Sequence, residues 1–126
     1  MALPRRHRLR GERTFDRLYR KGRRYETGSL VLRLVDAEPD LLPAADRRNP
    51  PSDWRCGVVV SSKVSKRAVR RNRLRRLLHA HLLSLRPRGG QPVWLLLSLR
   101  PGSERLPPRR LLGECTDVLR QAGLTP

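Results

Sequence analysis

The residues best suited to do chemistry in this chain lie between Ser61 and Leu78, in the sequence SSKVSKRAVRRNRLRRLL. Guanidinium groups dominate this stretch, and each can donate two parallel hydrogen bonds to a phosphate group. The spacing places the arginines on the opening turns of a helix. The stretch therefore predicts binding to a polyanion, and RNA is the polyanion that we expect.

The charge of the surrounding sequence strengthens this prediction. Trp54 to Ser103 contains twelve Lys and Arg residues and no Asp or Glu, and the whole chain carries 29 basic and 11 acidic residues, a net charge of +18 on 126 residues. Self-repulsion of this size is typical of proteins with a polyanionic partner. Such binding is expected to weaken steeply with salt, because each neutralised phosphate releases counterions.

A basic run can also be a solvated face or a disordered tail. A tail would lack apolar periodicity, whereas this run continues into residues that recur at helical spacing. The predicted buried stripe consists of Leu74, Leu77, Leu78, His81, Leu82 and Leu85. The arginines are therefore expected to lie on a helix that packs against a core.

Other segments show the periodicity of regular elements. A first helix is predicted over Glu12 to Lys21, and a last helix after Pro107 and Pro108, with Gly123 at its end. Strands are predicted over Ser29 to Val35, Arg55 to Ser61 and Pro92 to Leu99, with a short strand over Arg24 to Thr27. Asp36 to Asp53 contains four prolines and five acidic residues, so we expect a long loop with neither helix nor central strand.

Length and composition predict one domain over residues 1–126, with residues 36–53 as an acidic, proline-rich loop inserted within it. No signal sequence or membrane span is predicted, so we expect a cytoplasmic protein. Cys56 and Cys115 lack metal-ligand spacing and are expected to be small buried residues. Of the three histidines, His81 is expected at the core edge and His7 as an RNA contact; no metal site is predicted.

Three segments of the chain resemble the protein subunit of bacterial ribonuclease P. They are residues 3–22, LPRRHRLRGERTFDRLYRKG; residues 58–78, with the tripeptide Arg71, Asn72, Arg73; and residues 94–102, WLLLSLRPG. The resemblance implies an α+β fold, a two-layer α/β sandwich with a mixed four-stranded sheet, like a domain of a small-subunit ribosomal protein. It also implies a left-handed βαβ crossover, against the usual hand.

The resemblance further implies a protein that assists removal of the 5′ leader of precursor tRNA, with catalysis by the RNA subunit and Mg²⁺ held mainly by that RNA. The implied partners are the ribonuclease P RNA and the precursor tRNA leader, with no membrane and no required protein partner. The expected contacts with the RNA subunit are Lys63, Lys66, Arg67, Arg70, Arg71, Asn72, Arg73, Arg75 and Arg76.

A second implied site is a cleft between the first helix and the sheet, which accepts the single-stranded leader. Phe15 and Tyr19 match the two helix aromatics of the family, and stacking on such rings tolerates any sequence. Arg8, Arg10 and Arg33 are expected beside them, Arg33 standing where some relatives have an aromatic residue. An aromatic pair one helical turn apart can instead be simple core packing.

Four alternative functions have different sequence requirements. A structural RNA-binding protein of ribosomal type would explain the charge and the basic helix but not the aromatic pair. A basic zipper would need several leucine heptads. A protein-only nuclease would need clustered acidic metal ligands, and a polybasic membrane protein would need an anchor.

The loop 36–53 departs from the family pattern. It could shield the basic surface, but we expect a surface insertion without a role.

Overall fold

The computed structural model describes residues 3–47, 53–88 and 90–124. The predicted helices and strands occur in the predicted order, and one short helix was not predicted. The regular elements are α1 (Glu12–Lys21), β1 (Arg23–Glu26), β2 (Leu30–Asp36), the unpredicted α2 (Ala44–Arg47), β3 (Trp54–Val59), α3 (Ala68–Leu85), β4 (Val93–Leu99) and α4 (Pro108–Gln121).

The four strands form one mixed sheet in the order β1-β2-β4-β3. β2 pairs antiparallel with both β1 and β4, whereas β3 and β4 are parallel neighbours. Since α3 connects β3 to β4, these elements form a βαβ unit. The predicted mixed four-stranded sheet is confirmed, and the hand of the crossover stays a prediction.

Strand β4 separates two apolar clusters because its side chains alternate between the two faces of the sheet. Leu95 and Leu97 join the larger cluster, formed with α3 and α4. Trp94 and Leu96 join the smaller cluster, which contains Leu18 of α1. The sheet and the α3–α4 layer are the predicted sandwich, and α1 covers part of the opposite face.

The stripe predicted for α3 faces the larger cluster. Leu78 and Leu82 are buried, and Leu74, Leu77, His81 and Leu85 are partly covered at its margin. On the opposite side of the helix, Val69 is 78% exposed. In α4 the buried residues are Leu111, Cys115, Val118 and Leu119. Gly123, at φ +74°, follows the helix in the left-handed conformation that glycine adopts freely.

The segment after β2 differs from the prediction. Residues Pro39–Leu41 form a 3₁₀ turn and Ala44–Arg47 form the one-turn helix α2, so the expectation that this composition excludes helix was wrong. Pro43 directly precedes α2, a position where the helix needs no hydrogen bond from an N–H group. Its carbonyl accepts a hydrogen bond from the N–H of Asp46 at 2.9 Å. Leu42 and Asp46 are buried, so residues 37–47 are a packed part of the fold. Residues 48–52 of the predicted loop lie outside the described residues.

Both cysteines are buried in the larger cluster, as predicted. Burial raises the pKa of the Cys115 thiol to about 12 and the pKa of Cys56 further still, because the apolar surroundings disfavour the thiolate.

We therefore expect both thiols to be inert in the folded protein, since the thiolate is the reactive form. At pH 8, reaction with a chromogenic disulfide reagent is expected to be at least about a hundredfold slower in buffer than in concentrated denaturant. Fast reaction of either thiol in the native protein would contradict the buried placement.

Candidate nucleic-acid interface

The outward face of α3 carries a row of exposed basic side chains. Asn72, Arg73 and Arg76 are exposed and lie opposite the buried Leu78, as the helical spacing predicts. The helix can therefore pack on the sheet and direct guanidinium groups outward at the same time.

A groove of about 840 Å³ runs beside this row. It is lined by Arg70, Arg73 and Arg76, by leucines of α3 and α4, and by Glu104, Leu106 and Pro108. Three guanidinium groups beside one groove make a surface that suits consecutive phosphates.

The predicted arginines are not equivalent in the structure. Arg71 lies towards the sheet side and its Nη1 donates to the Ser65 carbonyl at 2.9 Å. Arg70 Nη2 donates to the Glu104 carbonyl at 3.3 Å, and Arg75 donates to the side chain of Asn72. These bonds fix the guanidinium groups in place, so Arg73 and Arg76 are the more open members of the row.

The turn between β3 and α3 adds further positive charge. Lys63, Lys66 and Arg67 are exposed there, and the buried Val64 anchors the turn between the two lysines. This cationic turn is continuous in sequence with the first turn of α3. The structure thus brings the predicted RNA-subunit contacts onto one helix and the turn before it.

The second predicted surface is the cleft between α1 and the sheet. Tyr19 is 53% exposed, whereas Phe15 is partly buried against the smaller cluster. A Cβ atom added to Gly57 of β3 would lie 3.1 Å from the Phe15 ring. Phe15 therefore packs closely over a strand that has no side chain at that point, and Tyr19, one turn later, is open to solvent.

Arg33 of β2 lies beside the open ring. Its guanidinium carbon is 4.9 Å from the centre of the Tyr19 ring, a cation–π contact. Arg24 of β1 is directly opposite Arg33 in the sheet register, so both side chains are on one face. The cleft thus combines an aromatic ring from α1 with two cations from the sheet.

Strand β1 contributes charged side chains to the cleft that were not predicted from the sequence. Glu26 bridges Arg24, at 2.5 Å between Oε1 and Nε, and Arg100, at 2.9 Å between Oε2 and Nη2. The hydrogen bond from Arg100 is the main reason why the pKa of Glu26 is lowered. The alternation of Arg24 and Glu26 in a short strand was the sequence signal that could have identified this group.

Two other predicted members of the cleft lie elsewhere. Arg8 Nε donates to the Leu3 carbonyl at 2.6 Å, and Leu3 belongs to the larger cluster on the α3 side. Arg10 Nε lies 3.4 Å from Asp46 Oδ2 of α2. The structure therefore directs Arg8 to the opposite face from Tyr19 and pairs Arg10 with a carboxylate.

His7 and His81 have defined packing partners. His7 stacks on Trp54 with ring centres 4.0 Å apart, and His81 Nε2 lies 2.9 Å from Thr116 Oγ1. Burial lowers the pKa of both imidazoles. Within residues 3–47, 53–88 and 90–124, His, Cys, Asp and Glu form no group of three or more that could hold a metal ion. No described helix is long and apolar enough to cross a bilayer.

The family model for Ribonuclease P matches residues 3–123 of this chain. The chain belongs to the ribonuclease P protein family. Among curated relatives, the ribonuclease P protein component of Parasynechococcus marenigrum is 52% identical, and that of Prochlorococcus marinus (strain MIT 9303) is 49% identical. Each alignment covers 98% of both chains.

Solved structures of ribonuclease P proteins share the fold. The Staphylococcus aureus protein superposes with a TM-score of 0.73 at 17% identity, over 95% of this chain and 98% of that one. The Thermotoga maritima protein gives a TM-score of 0.69 at 20% identity, over 90% of this chain and 96% of that one. The mixed sheet and its helices are thus those of bacterial ribonuclease P proteins.

Gly57 gives a direct test of the packing beneath Phe15. Gly57→Val is expected to lower the free energy of unfolding by about 1 to 3 kcal/mol, because the new side chain overlaps Phe15, Leu9 and Leu96. The control is Gly113→Ala in α4, where an added Cβ meets no atom within 4 Å.

Gly113→Ala is expected to raise the same free energy by about 0.5 to 1 kcal/mol, since alanine restricts the unfolded chain. Urea unfolding measures both changes. Equal stability of Gly57→Val and the wild type would show that Phe15 does not pack over Gly57.

Proposed function

We propose that this protein binds the ribonuclease P RNA through α3 and the turn before it, and holds the 5′ leader of precursor tRNA in the cleft beside α1. As a member of the family, the chain is a protein subunit of ribonuclease P and takes part in tRNA processing. Its partner in that enzyme is the ribonuclease P RNA. The reaction assisted is the endonucleolytic removal of the leader, which produces the mature 5′ end of the tRNA.

The observation that carries the leader assignment is the open pair of Tyr19 and Arg33. A half-exposed aromatic ring beside a guanidinium group can stack on a base or ribose and neutralise a phosphate. Neither contact depends on which base is present. This suits an enzyme subunit that must accept many leader sequences.

The two surfaces are on opposite sides of the sheet. α1 and Arg33 lie on the face of Trp94 and Leu96, whereas α3 packs on the face of Leu95 and Leu97. The protein can therefore contact the RNA subunit and the leader simultaneously. We assign Lys63, Lys66, Arg67, Arg70, Arg73, Arg75 and Arg76 to the RNA subunit, with Arg71 and Asn72 organising that face.

We assign catalysis to the RNA subunit. We place the enzyme in the cytoplasm and expect it to need no further protein. Magnesium ions held mainly by RNA phosphates would supply the activation of water. The carboxylates of Glu26, Glu38 and Asp46 form ion pairs with arginines, so these side chains serve protein contacts. The protein contributes leader binding and charge neutralisation.

The second candidate is a structural RNA-binding protein of ribosomal type, which the arginine face of α3 would equally serve. That function requires no difference in affinity between a tRNA with a leader and one without. Leader-dependent binding therefore separates the two functions.

The α3 surface is tested by the salt dependence of RNA binding. Replacing Arg73 and Arg76 with glutamine is expected to weaken binding to the ribonuclease P RNA and to reduce the slope of log affinity against log salt by about 2, about 0.9 for each lost phosphate contact. Replacing Arg23 and Arg120 with glutamine removes the same charge from β1 and α4 and is the matched control. Identical slopes for the two double variants would assign the binding to net charge alone.

The cleft is tested with Tyr19→Ala in the reconstituted enzyme. The wild-type protein is expected to restore cleavage of precursor tRNA by a bacterial ribonuclease P RNA at low magnesium. Tyr19→Ala is expected to weaken binding of leader-bearing tRNA by about 1 to 3 kcal/mol, the contribution of one stacked base, and to leave mature tRNA unaffected.

Tyr19→Phe keeps the ring and is the control, expected to match the wild type. If the wild-type protein binds the ribonuclease P RNA no better than unrelated RNA and never assists cleavage, the ribosomal-type function is correct.

A further inference from the structure

A buried carboxylate lies outside both proposed RNA surfaces. Asp46 of α2 is 2% exposed. Its Oδ1 is 3.1 Å from Arg5 Nε and its Oδ2 is 3.4 Å from Arg10 Nε. Burial of a carboxylate is costly unless cations and hydrogen bonds compensate it, so this arrangement depends on both arginines.

A buried guanidinium group holds the same segment from the other side. Arg55 of β3 is 4% exposed, and its Nη1 donates to the carbonyl of Arg5 at 3.2 Å and to that of Arg8 at 2.8 Å. Burial lowers the pKa of Arg55, and the charge of Asp46 partly offsets that effect. The segment from Arg5 to Arg10, which we call the N-terminal arm, is thus fixed by side chains from α2 and from β3.

The N-terminal arm leads directly into α1. Leu9 N–H donates to the Cys56 carbonyl at 3.2 Å, which ties the arm to β3. Gly11 follows at φ +91°, and an added Cβ there would be 3.1 Å from the Pro43 ring. Thr14 Oγ1 in the first turn of α1 donates to the carbonyls of Gly11, at 2.7 Å, and Arg10, at 2.9 Å. The arm therefore sets the place where α1 begins.

The start of α1 determines where the cleft side chains lie. Phe15 is in its second turn and packs over Gly57, and Tyr19 follows one turn later beside Arg33. A second ion pair ties the same acidic segment to this helix, since Glu38 Oε1 is 2.6 Å from Arg17 Nη2. Residues 37–47 thus contact the chain just before α1, at Gly11, and the middle of the helix, at Arg17.

We propose that Asp46 is a positioning residue for the leader cleft: its carboxylate fixes the N-terminal arm and thereby the orientation of α1. The inference rests on the proposed function of that cleft. It differs from an electrostatic shield, in which the acidic segment would only lower the affinity for RNA. It also replaces the expectation of an insertion without a role.

The decisive comparison is Asp46→Asn against Asp40→Asn. Both remove one negative charge from the same segment, but Asp40 is exposed. Each variant is assembled with the ribonuclease P RNA, and three quantities are measured: affinity for the RNA subunit, the ratio of affinities for leader-bearing and mature tRNA, and the thermal midpoint of the protein.

Asp46→Asn is expected to reduce the leader ratio by at least about fivefold, the lower end of common coupling between sites, with affinity for the RNA subunit kept within about twofold. Asp40→Asn is expected to keep the wild-type ratio. An unchanged ratio for Asp46→Asn overturns the proposal. Equal gains in RNA affinity for both variants would indicate an electrostatic shield and would also overturn the proposal. A loss of affinity for the RNA subunit and for leader-bearing tRNA in parallel with a lower thermal midpoint would indicate an effect on stability alone, and it too would overturn the proposal.

Arg5→Gln is the second variant, should Asp46→Asn fail to fold. It removes the Oδ1 partner and leaves the Arg10 pair, so a smaller reduction of the leader ratio is expected; an unchanged ratio overturns the proposal. The proposed function itself is judged on the wild type. If the wild-type enzyme shows no preference for leader-bearing tRNA, both the proposed function and this inference are wrong. If the wild type shows the preference and Asp46→Asn keeps the same ratio, only the inference is wrong.

Discussion

Burial of β4 on both faces is the constraint on which the rest of the structure depends. This strand pairs with β2 on one side and β3 on the other, and its residues are almost all buried. A central strand that is apolar on both faces requires covering layers on both sides. The α3–α4 layer and α1 provide them, and each covering helix then has an outward or lateral surface free for another task.

The distribution of acidic residues makes the two faces electrostatically different. Residues 54–103 contain no Asp or Glu, so α3 keeps its positive field. On the opposite face, Asp46 and Glu38 pair with Arg5, Arg10 and Arg17. The α1 side is therefore partly neutralised by the protein itself, whereas Arg33 at the cleft faces the Tyr19 ring. A strongly charged chain can in this way hold one surface for a large polyanion and another for a single strand.

The sequence was sufficient to predict the elements that are determined by residues close together in the chain. Helical spacing placed Leu78 inward and Arg76 outward on α3, and the apolar run from Pro92 to Leu99 predicted the strand β4. The placement of Asp46 was not predictable in this way, because its partner Arg5 is 41 residues distant along the chain. Arg8 was assigned to the cleft by the family resemblance. Its partner, the Leu3 carbonyl, is close in sequence, but no periodicity predicts the hydrogen bond that directs the side chain away from the cleft.

Arg33 lets the proposed leader cleft combine stacking with charge. A guanidinium plane is able to stack on a ring and still donate hydrogen bonds from its edge. Beside Tyr19 it offers a base two flat surfaces and offers a phosphate a cation, in one site. Both features recognise parts that every nucleotide has. A guanidinium group at this position therefore favours charge over stacking without requiring a preferred leader sequence. Leader binding here is expected to depend more strongly on salt than in an all-aromatic cleft.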